Sequence, residues 1–576
     1  MDDRRALGDA TIYVTRRERE VLMELCRPAL ADAPFAEPAS TRQIAAALVV
    51  SDAAVKQHLL HLYDKFAIDG AGEQRRLRLA NEVLRRGVVG FEDLGSTRGP
   101  RPTGPLRAGR LAHTGQRWEE AVDLFLAAEA GTPLDALDLD RLAESAFQAL
   151  RHDVSLDARQ RAYRLYVDAG DPTGAARTAV WLAILQILRA NFSLANGWMA
   201  SAARLLDGVA ASPAHGFHLV IRSLMELGAG QFAAALDDAA SAHRVARQFG
   251  DRDVETLSLA FQGHALVGLG RVGDGMALLD EAMATAVTGD LGMLATGLSY
   301  CRTISACLDL FDYDRANDWI DAIARLPGRG QHGFPGDCLT HQVAVRIVRG
   351  EWAEARLEAE VAIAETERVD LTHAGPAWYE LGELRLRAGE LADAAEAFRR
   401  AHELGFAPQP GLTFLLLEQG DIDAASASIE TALASIPGHA LGRARLLPAR
   451  VEVMLAAGDA AAARDAATEL GMIAEAYPTV ALRAAALGAQ GAVSAARGER
   501  SSLAQLRESW RLWRETPAPF EAARVGVLLA RARLAAGDRG GALLEIDAAA
   551  AAFERLGAQL DLLRARALAE ELRGTA

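Results

Sequence analysis

The feature that most constrains this chain is a turn that returns about every 39 residues. Its form is Gly-Asp/Glu-x-x-x-Ala: GQFAAA at Gly230, GEWAEA at Gly350, GELADA at Gly389, GDIDAA at Gly420, GDAAAA at Gly458 and GDRGGA at Gly537. Looser copies fall at Gly115, His152, Asn191, Gly270, Phe311 and Gly498, so twelve units follow one another at spacings of 31 to 41 residues. Between the turns the sequence is rich in Ala and Leu, with apolar residues at i, i+3, i+4 and i+7, which predicts helix after helix. Glycine permits the left-handed backbone that ends one helix. The acid meets the positive N-terminus of the next, and the small Ala lets the two helices cross closely. A helix pair of this size cannot bury its apolar face alone, so neighbouring pairs must stack. The expected fold class is all-α, with a long α-solenoid over residues 111–576.

The chain has 576 residues, 50% of them hydrophobic and 24% charged, which excludes wholesale disorder. Four cysteines, none as CxxC, exclude a disulfide scaffold. The first ten residues, MDDRRALGDA, lack the apolar core of a signal peptide. The most apolar stretch, Ala179 to Leu188, is about half a membrane span. These features predict a cytoplasmic protein with no membrane partner.

The net charge of −15 argues against general attraction to nucleic acid, but it is unevenly placed. Residues 1–115 carry 18 Lys/Arg and 15 Asp/Glu, a balance of +3, and the remainder carries 44 and 62, a balance of −18. The chain has only two lysines, Lys56 and Lys65, among sixty arginines, and both lie in this first part. Residues 1–94 read as a small separate domain. Residues 95–110 (GSTRGPRPTGPLRAGR), with four Arg, three Pro and no acid, read as a semi-extended basic tether.

Three helices are predicted in the small domain. Thr15-Arg-Arg-Glu18 is a capping box opening a helix with Val21, Leu22 and Leu25 inward. Ser40-Thr-Arg-Gln43 opens a short helix with Ile44, Ala45 and Leu48 inward. A turn at Val49 and Val50 follows, and Ser51 caps a third helix whose Val55, Leu59, Leu62 and Phe66 form one buried stripe. A short helix, a tight turn and a second amphipathic helix make the helix-turn-helix arrangement. At 100° per residue, Ala53, Gln57, Leu60, His61 and Asp64 face outward, with Lys56 and Lys65 alongside. A helix in the major groove needs such hydrogen-bonding residues, with cations at its edges for phosphates. Gln57 is suited to adenine. Lys56, His61 and Lys65 would reach bases or phosphates, and Arg42 the flanking backbone. A fourth helix, 73–86, places Arg75 and Arg76 near Leu77, Ala80 and Leu84 as further backbone contacts.

VTRREREVL followed by RQIAAALVVSDAAVKQHLLHLYDKF resembles the LuxR/GerE-type helix-turn-helix. Thr15, Arg17, Glu18, Glu20, Val21, Leu22, Ile44, Ala45, Leu48, Ser51, Val55, Lys56, His58 and Lys65 match its pattern. The resemblance implies DNA contacts by Lys56 and its outward neighbours Gln57 and His61, and a dimer on paired half-sites. The segment from Arg27 to Ala39 is longer than that family's turn, and Leu60 stands where a polar contact residue is often found. The helical body resembles the tetratricopeptide region of actinobacterial LuxR-type, MalT-like regulators, in stretches such as RARLLPARVEVMLAAGD. Those regulators usually place the DNA-binding domain last and many carry an NTPase module. Here the order is inverted, and there is no such module.

No motif for catalysis stands out. Gly268-Leu-Gly270-Arg-Val-Gly273 formally matches GxGxxG but follows a helix and coincides with a repeat turn. GxxxxGK[ST], HExxH and GxSxG are absent. Cys338 and His341, with Cys301 and Cys307 one helix earlier, are expected as buried helix-face residues rather than metal ligands. Trp118, Trp198, Trp319 and Trp352, near the repeat turns, are expected in inter-helix core. The sequence therefore predicts a transcriptional regulator, without cofactor or catalytic residues, that binds double-stranded DNA and receives a peptide, protein or small-molecule effector on its solenoid. The alternative is a tetratricopeptide scaffold whose N-terminal helices do not bind DNA.

Overall fold

A computed structural model describes residues 16–26, 38–48, 50–66, 68, 73–85, 104–288, 291–325, 335–368 and 374–574. Every regular element among them is helical. The chain divides into two compact units, 1–107 and 108–576.

The first unit holds α1 (Arg16–Cys26), α2 (Thr41–Leu48), α3 (Asp52–Lys65) and α4 (Glu73–Arg85). The start of α2 is the predicted capping box. The backbone N–H of Ser40 donates to Gln43 Oε1 at 2.8 Å, and the N–H of Gln43 donates to Ser40 Oγ at 3.3 Å. Val50 N–H then donates to the Ala45 carbonyl at 3.0 Å, and Ser51 Oγ accepts from Ala54 N–H at 3.3 Å, so the chain leaves α2 and enters α3 within three residues. Val55, Leu59, Leu62 and Phe66 are buried together with Val21, Leu22, Leu25, Ile44 and Ala45. Thr15 lies outside the described residues, and Glu18, expected to complete a capping box, is engaged elsewhere. The inward face of α4 is Leu79, Ala80 and Val83, whereas Leu77 is exposed and the side chain of Leu84 lies outside the described residues.

The second unit is an array of twelve helix hairpins followed by the helix Gln559–Gly574 among the described residues. Each hairpin turns on one left-handed residue. These are Gln116, Leu150, Ala190, Gly230, Gly270, Phe311, Gly350, Gly389, Gly420, Gly458, Gly498 and Gly537. The loose copies near the start are thereby re-registered from 115, 152 and 191 to 116, 150 and 190. At every turn the next residue's N–H reaches back five residues to a helix-ending carbonyl, as Gln231 does to Glu226 at 2.9 Å and Asp538 to Arg533 at 2.9 Å. Aspartate after the turn caps the following helix: Asp421 Oδ1 accepts from Ala424 N–H at 3.0 Å and Asp538 Oδ1 from Gly541 N–H at 2.8 Å. Glutamate does not. Glu390 instead takes both guanidinium nitrogens of Arg356, at 2.8 and 2.9 Å. Five residues past the turn sit Ala121, Ala195, Ala235, Ala316, Ala355, Ala394, Ala425, Ala463 and Ala542, all fully buried. Gly275 takes this place in its hairpin, and a Cβ there would lie 2.6 Å from the Gly263 carbonyl across the pair.

The array begins inside the stretch expected as a tether. Its helix Pro105–Thr114 starts on a proline, which suits the first helical position. Arg110 is fixed by Asp138, with Nε and Nη2 at 2.8 and 2.6 Å. Residues 95–103 lie outside the described residues. The array also packs back on itself. Tyr477 Oη donates to the Gly268 carbonyl at 3.3 Å, and Thr479 Oγ1 to the Leu310 carbonyl at 2.7 Å. The rings of Phe232 and His439 meet at a tilt with centroids 5.4 Å apart, and Leu560 lies against Gly389.

A Cβ on Gly458 meets nothing within 4 Å, so Gly458→Ala tests backbone strain alone. It should cost about 1 kcal/mol, while Ala190→Gly should stabilise by a similar amount, read as opposite shifts of the urea midpoint.

Candidate functional site

Two places concentrate polar chemistry, one in each unit. In the first unit, the outer face of α3 carries Lys56, Gln57 and His61, all exposed, with Leu60 at 53% exposure between them. None of the three polar side chains is drawn into an ion pair or hydrogen bond among the described residues, and Arg42 on α2 is also exposed. These four residues are thus available to a partner. The other expected contacts are committed inside the unit. Lys65 Nζ lies 2.7 Å from Oε2 of Glu18, whose side chain is only 5% exposed. Arg75 Nε donates to the Ile68 carbonyl at 2.9 Å, and its guanidinium stacks 4.4 Å from the Tyr63 ring centroid. Arg76 is half-buried, and Ser51 Oγ accepts the cap bond of α3. The matching lysine of the motif therefore ties α3 to α1, and Arg75 ties α4 to α3.

In the second unit, polar and charged side chains from distant repeats lie close enough to pair or to act on one another. They come from Tyr313, the helix Ala374–Ala388 (Tyr379, Glu380, Glu383, Arg387), the helix Ala440–Ala456 (Arg445, Glu452) and the helix Pro519–Ala535 (Glu521, Arg524). Glu380, Glu383 and Arg387 share one helix face by their spacing. Part of the cluster is closed. Tyr379 Oη donates to Glu383 Oε1 at 3.0 Å, and Arg387 lies 3.5 Å from both Glu383 and Glu521 while covering the Phe520 ring at 4.9 Å. Arg524 Nη2 is 2.7 Å from each oxygen of Glu452.

Part of it is open. Glu380 and Arg445 make no ion pair or hydrogen bond among the described residues. Arg445 is solvent-accessible, yet protein crowds it enough for Tyr379, Asp309, Glu380 and Tyr313 all to act on it. Burial pushes the Glu380 carboxyl up to about 7 against the opposing pull of Arg445, and burial raises the Tyr313 phenol. Asp561 is raised by burial in the same way, against the pull of Arg524 and Arg564. Elsewhere a buried carboxylate is paired: Asp140 accepts from Arg159 at 2.7 Å and from Tyr166 at 2.8 Å. Sequence reading missed this cluster, because its residues are spread over positions 313 to 524 on four separate helices.

Other singled-out positions serve packing. Gly270 of the GxGxxG match is a left-handed turn residue between two helices. Cys301 and Cys307 are buried, and Cys338 lies outside the described side chains. No group of three His, Cys, Asp or Glu is placed to hold a metal among the described residues. Trp352 is buried, and Trp319 Nε1 donates to Asp280 Oδ1 at 3.0 Å. No described helix is long and apolar enough to cross a membrane.

No family model matches the chain, and no curated protein sequence matches it. Several solved structures are similar at low identity. A chain of the APC/C hetero-tetramer Cut9-Hcn1 is 13% identical, with 83% of this chain and 97% of that chain covered and a TM-score of 0.34. A Rap protein complexed with competence and sporulation factor is 14% identical, with 59% and 99% covered and a TM-score of 0.44. Yeast Tom70 is 12% identical, with 82% and 95% covered and a TM-score of 0.29.

Two outcomes test these assignments. Lys65→Ala leaves Glu18 buried without that cation and should destabilise the first unit by about 2–4 kcal/mol, seen as early loss of amide protection in α1 and α3. Glu380 has its carboxyl raised in the folded state, so the folded chain holds this proton more tightly. Stability is therefore lost as pH rises from the usual 4.5 through about 7. Glu380→Gln should stabilise the array at pH 8 by on the order of 2 kcal/mol, and the gain should shrink towards pH 4.5, as followed by urea denaturation.

Proposed function

We propose that this chain is a non-catalytic interaction protein: a tetratricopeptide-like scaffold whose array receives a partner, joined to a small helix-turn-helix unit that reads duplex DNA. The scaffold reading is supported by the architecture itself, since an array of hairpins offers extended surface. It also carries charged groups, Glu380 and Arg445, that make no ion pair among the described residues.

The DNA reading is carried by one observation. The outer face of α3 is left unused by its own unit, and it presents Lys56, Gln57, Leu60 and His61 beyond a three-residue turn from α2. A helix held this way suits the major groove, where Gln57 can address an adenine edge, Leu60 a thymine methyl and Lys56 a phosphate. Arg42 stands at the N-terminus of the supporting helix, where the backbone of the duplex would pass. Lys65 and Arg75 are assigned to holding α1, α3 and α4 together, which narrows the proposed contact set to Arg42, Lys56, Gln57, Leu60 and His61. The acidic array, at −18 from residue 116 on, disfavours non-specific adhesion and confines contact to this face.

The test is a salt titration of the full chain on mixed-sequence duplex, compared with Lys56→Ala. Loss of one phosphate contact should lower the slope of log affinity against log salt by about one and weaken binding at every sequence. Absence of duplex binding at low salt, or an unchanged slope in the variant, would leave the scaffold reading alone.

A further inference from the structure

A groove of about 310 Å³ lies between two successive hairpins of the array. One wall is the helix Ala460–Ala476, whose Arg464, Thr468, Met472 and Glu475 fall at i, i+4, i+8 and i+11 on one face. At 1.5 Å per residue that wall is about 16 Å long. Gln490 and Arg497 of the helix Val480–Ala496 line the other side, together with Gln505 of the helix Ser502–Glu515. Two features of this groove are not explained by folding. Gly471 stands in the middle of the first wall, where glycine weakens a helix. A Cβ there would strike neither backbone nor core. It would meet Nε2 of Gln490 at 2.6 Å, and no other residue within 4 Å. The missing Cβ thus makes room for one carboxamide. The second feature is Gln505 Oε1, which is shut off from solvent and accepts no hydrogen bond among the described residues. An acceptor left in that state is costly.

From this we infer that the groove binds an extended peptide segment of a partner by its backbone. Each peptide unit offers one N–H and one C=O. The carboxamides of Gln490 and Gln505 come from different helices, and each can donate on one side and accept on the other. Their terminal torsions are broad, so Gln505 can turn its oxygen to a backbone N–H while Gln490 donates to a backbone carbonyl. The dimensions agree: about 16 Å takes roughly five extended residues. The volume is at the small end for a ligand site, which suits a bare strand and not a folded element. Charge decides against an ionic ligand. Arg464 and Arg497 in the lining are offset by Glu475 and Glu499, and Arg497 Nε already donates to Glu499 at 2.6 Å. An anion would meet two carboxylates and a cation two guanidinium groups, so a neutral backbone fits best. Met472, 60% exposed at the groove, adds a soft apolar contact for a side chain of the segment.

The site rests on the reading of the array as the partner-receiving module, and it names where and by what chemistry. The probe is a pool of tripeptides acetylated and amidated at their ends, titrated into the full chain carrying ¹³C-methyl methionine. The Met472 methyl signal, identified by its loss in Met472→Leu, should shift and saturate. The matching ester pool keeps the carbonyls and lacks the backbone N–H, and it should bind at least about threefold more weakly. Gln505→Leu removes the acceptor, and Gly471→Ala fills the space of the Gln490 carboxamide. Each should weaken the amide pool by about three- to tenfold. Gly471→Ala should keep the fold, since alanine is the better helix former. A still Met472 signal, equal binding of the ester pool, or parental binding in both variants overturns the inference. Shifts at other methionines with Met472 unmoved would also overturn it, while leaving the scaffold reading in place.

Discussion

The second unit depends on one recurring piece of backbone chemistry: a single left-handed residue between two helices, closed by an N–H that reaches five residues back. It ends the first helix with its carbonyls satisfied and launches the second at a fixed angle. The residue five places on then sits where the two helices cross. There alanine, serine or glycine stands in eleven of the twelve hairpins, Leu503 being the exception, and at Gly275 even a methyl group would strike the opposite backbone. Stacked copies of one geometry produce a regular curl, and the curl brings repeat tips at Gly268 and Leu310 onto Tyr477 and Thr479.

This explains which parts of the fold are legible in the sequence. Where glycine occupies the left-handed position, as at 230, 350, 389, 420, 458 and 537, the turn can be read to the residue. Where Gln116, Leu150 or Ala190 occupies it, the local signal vanishes, and nearby Gly115, His152 and Asn191 draw the register off by one or two. The strain of a non-glycine there is modest and is outweighed by packing on both sides. In the first unit, the amphipathic stripe of α3 and the Ser40–Gln43 box are local and were legible. The pairing of Lys65 with Glu18 spans 47 residues and was not, since a basic residue near a DNA-reading motif looks like a phosphate contact until its partner is seen. The tether reading stopped short at Pro105 for a similar reason: Arg110 looks like free positive charge until Asp138 is placed beside it.

The charged interior was the least legible part. Within its own helix, each of Glu380, Glu383 and Arg387 reads as one more polar residue on a solvated face. Only the pitch of the array decides that this face lies beside Glu521 and near Arg445. The pitch is a sum of small angles over several hairpins, and no local pattern encodes it. The two units thus carry their polar chemistry differently. In the first it is displayed on a convex helix face and could be computed from the helical period. In the second it is assembled by long-range geometry.

The contacts that tie early repeat tips to later ones also bear on how the chain is made. Gly268 and Leu310 receive hydrogen bonds from Tyr477 and Thr479, which are synthesised 209 and 169 residues later. At about 5–20 residues per second, the ribosome delivers those partners roughly 10–40 s after the tips themselves have emerged. Hairpins in the middle of the array can form as they appear, since each is closed by its own turn. Their inner surfaces stay uncovered until the last third of the chain arrives. Translation speed through residues 311–476 therefore sets how long a half-built array presents apolar and charged surface to the rest of the cell.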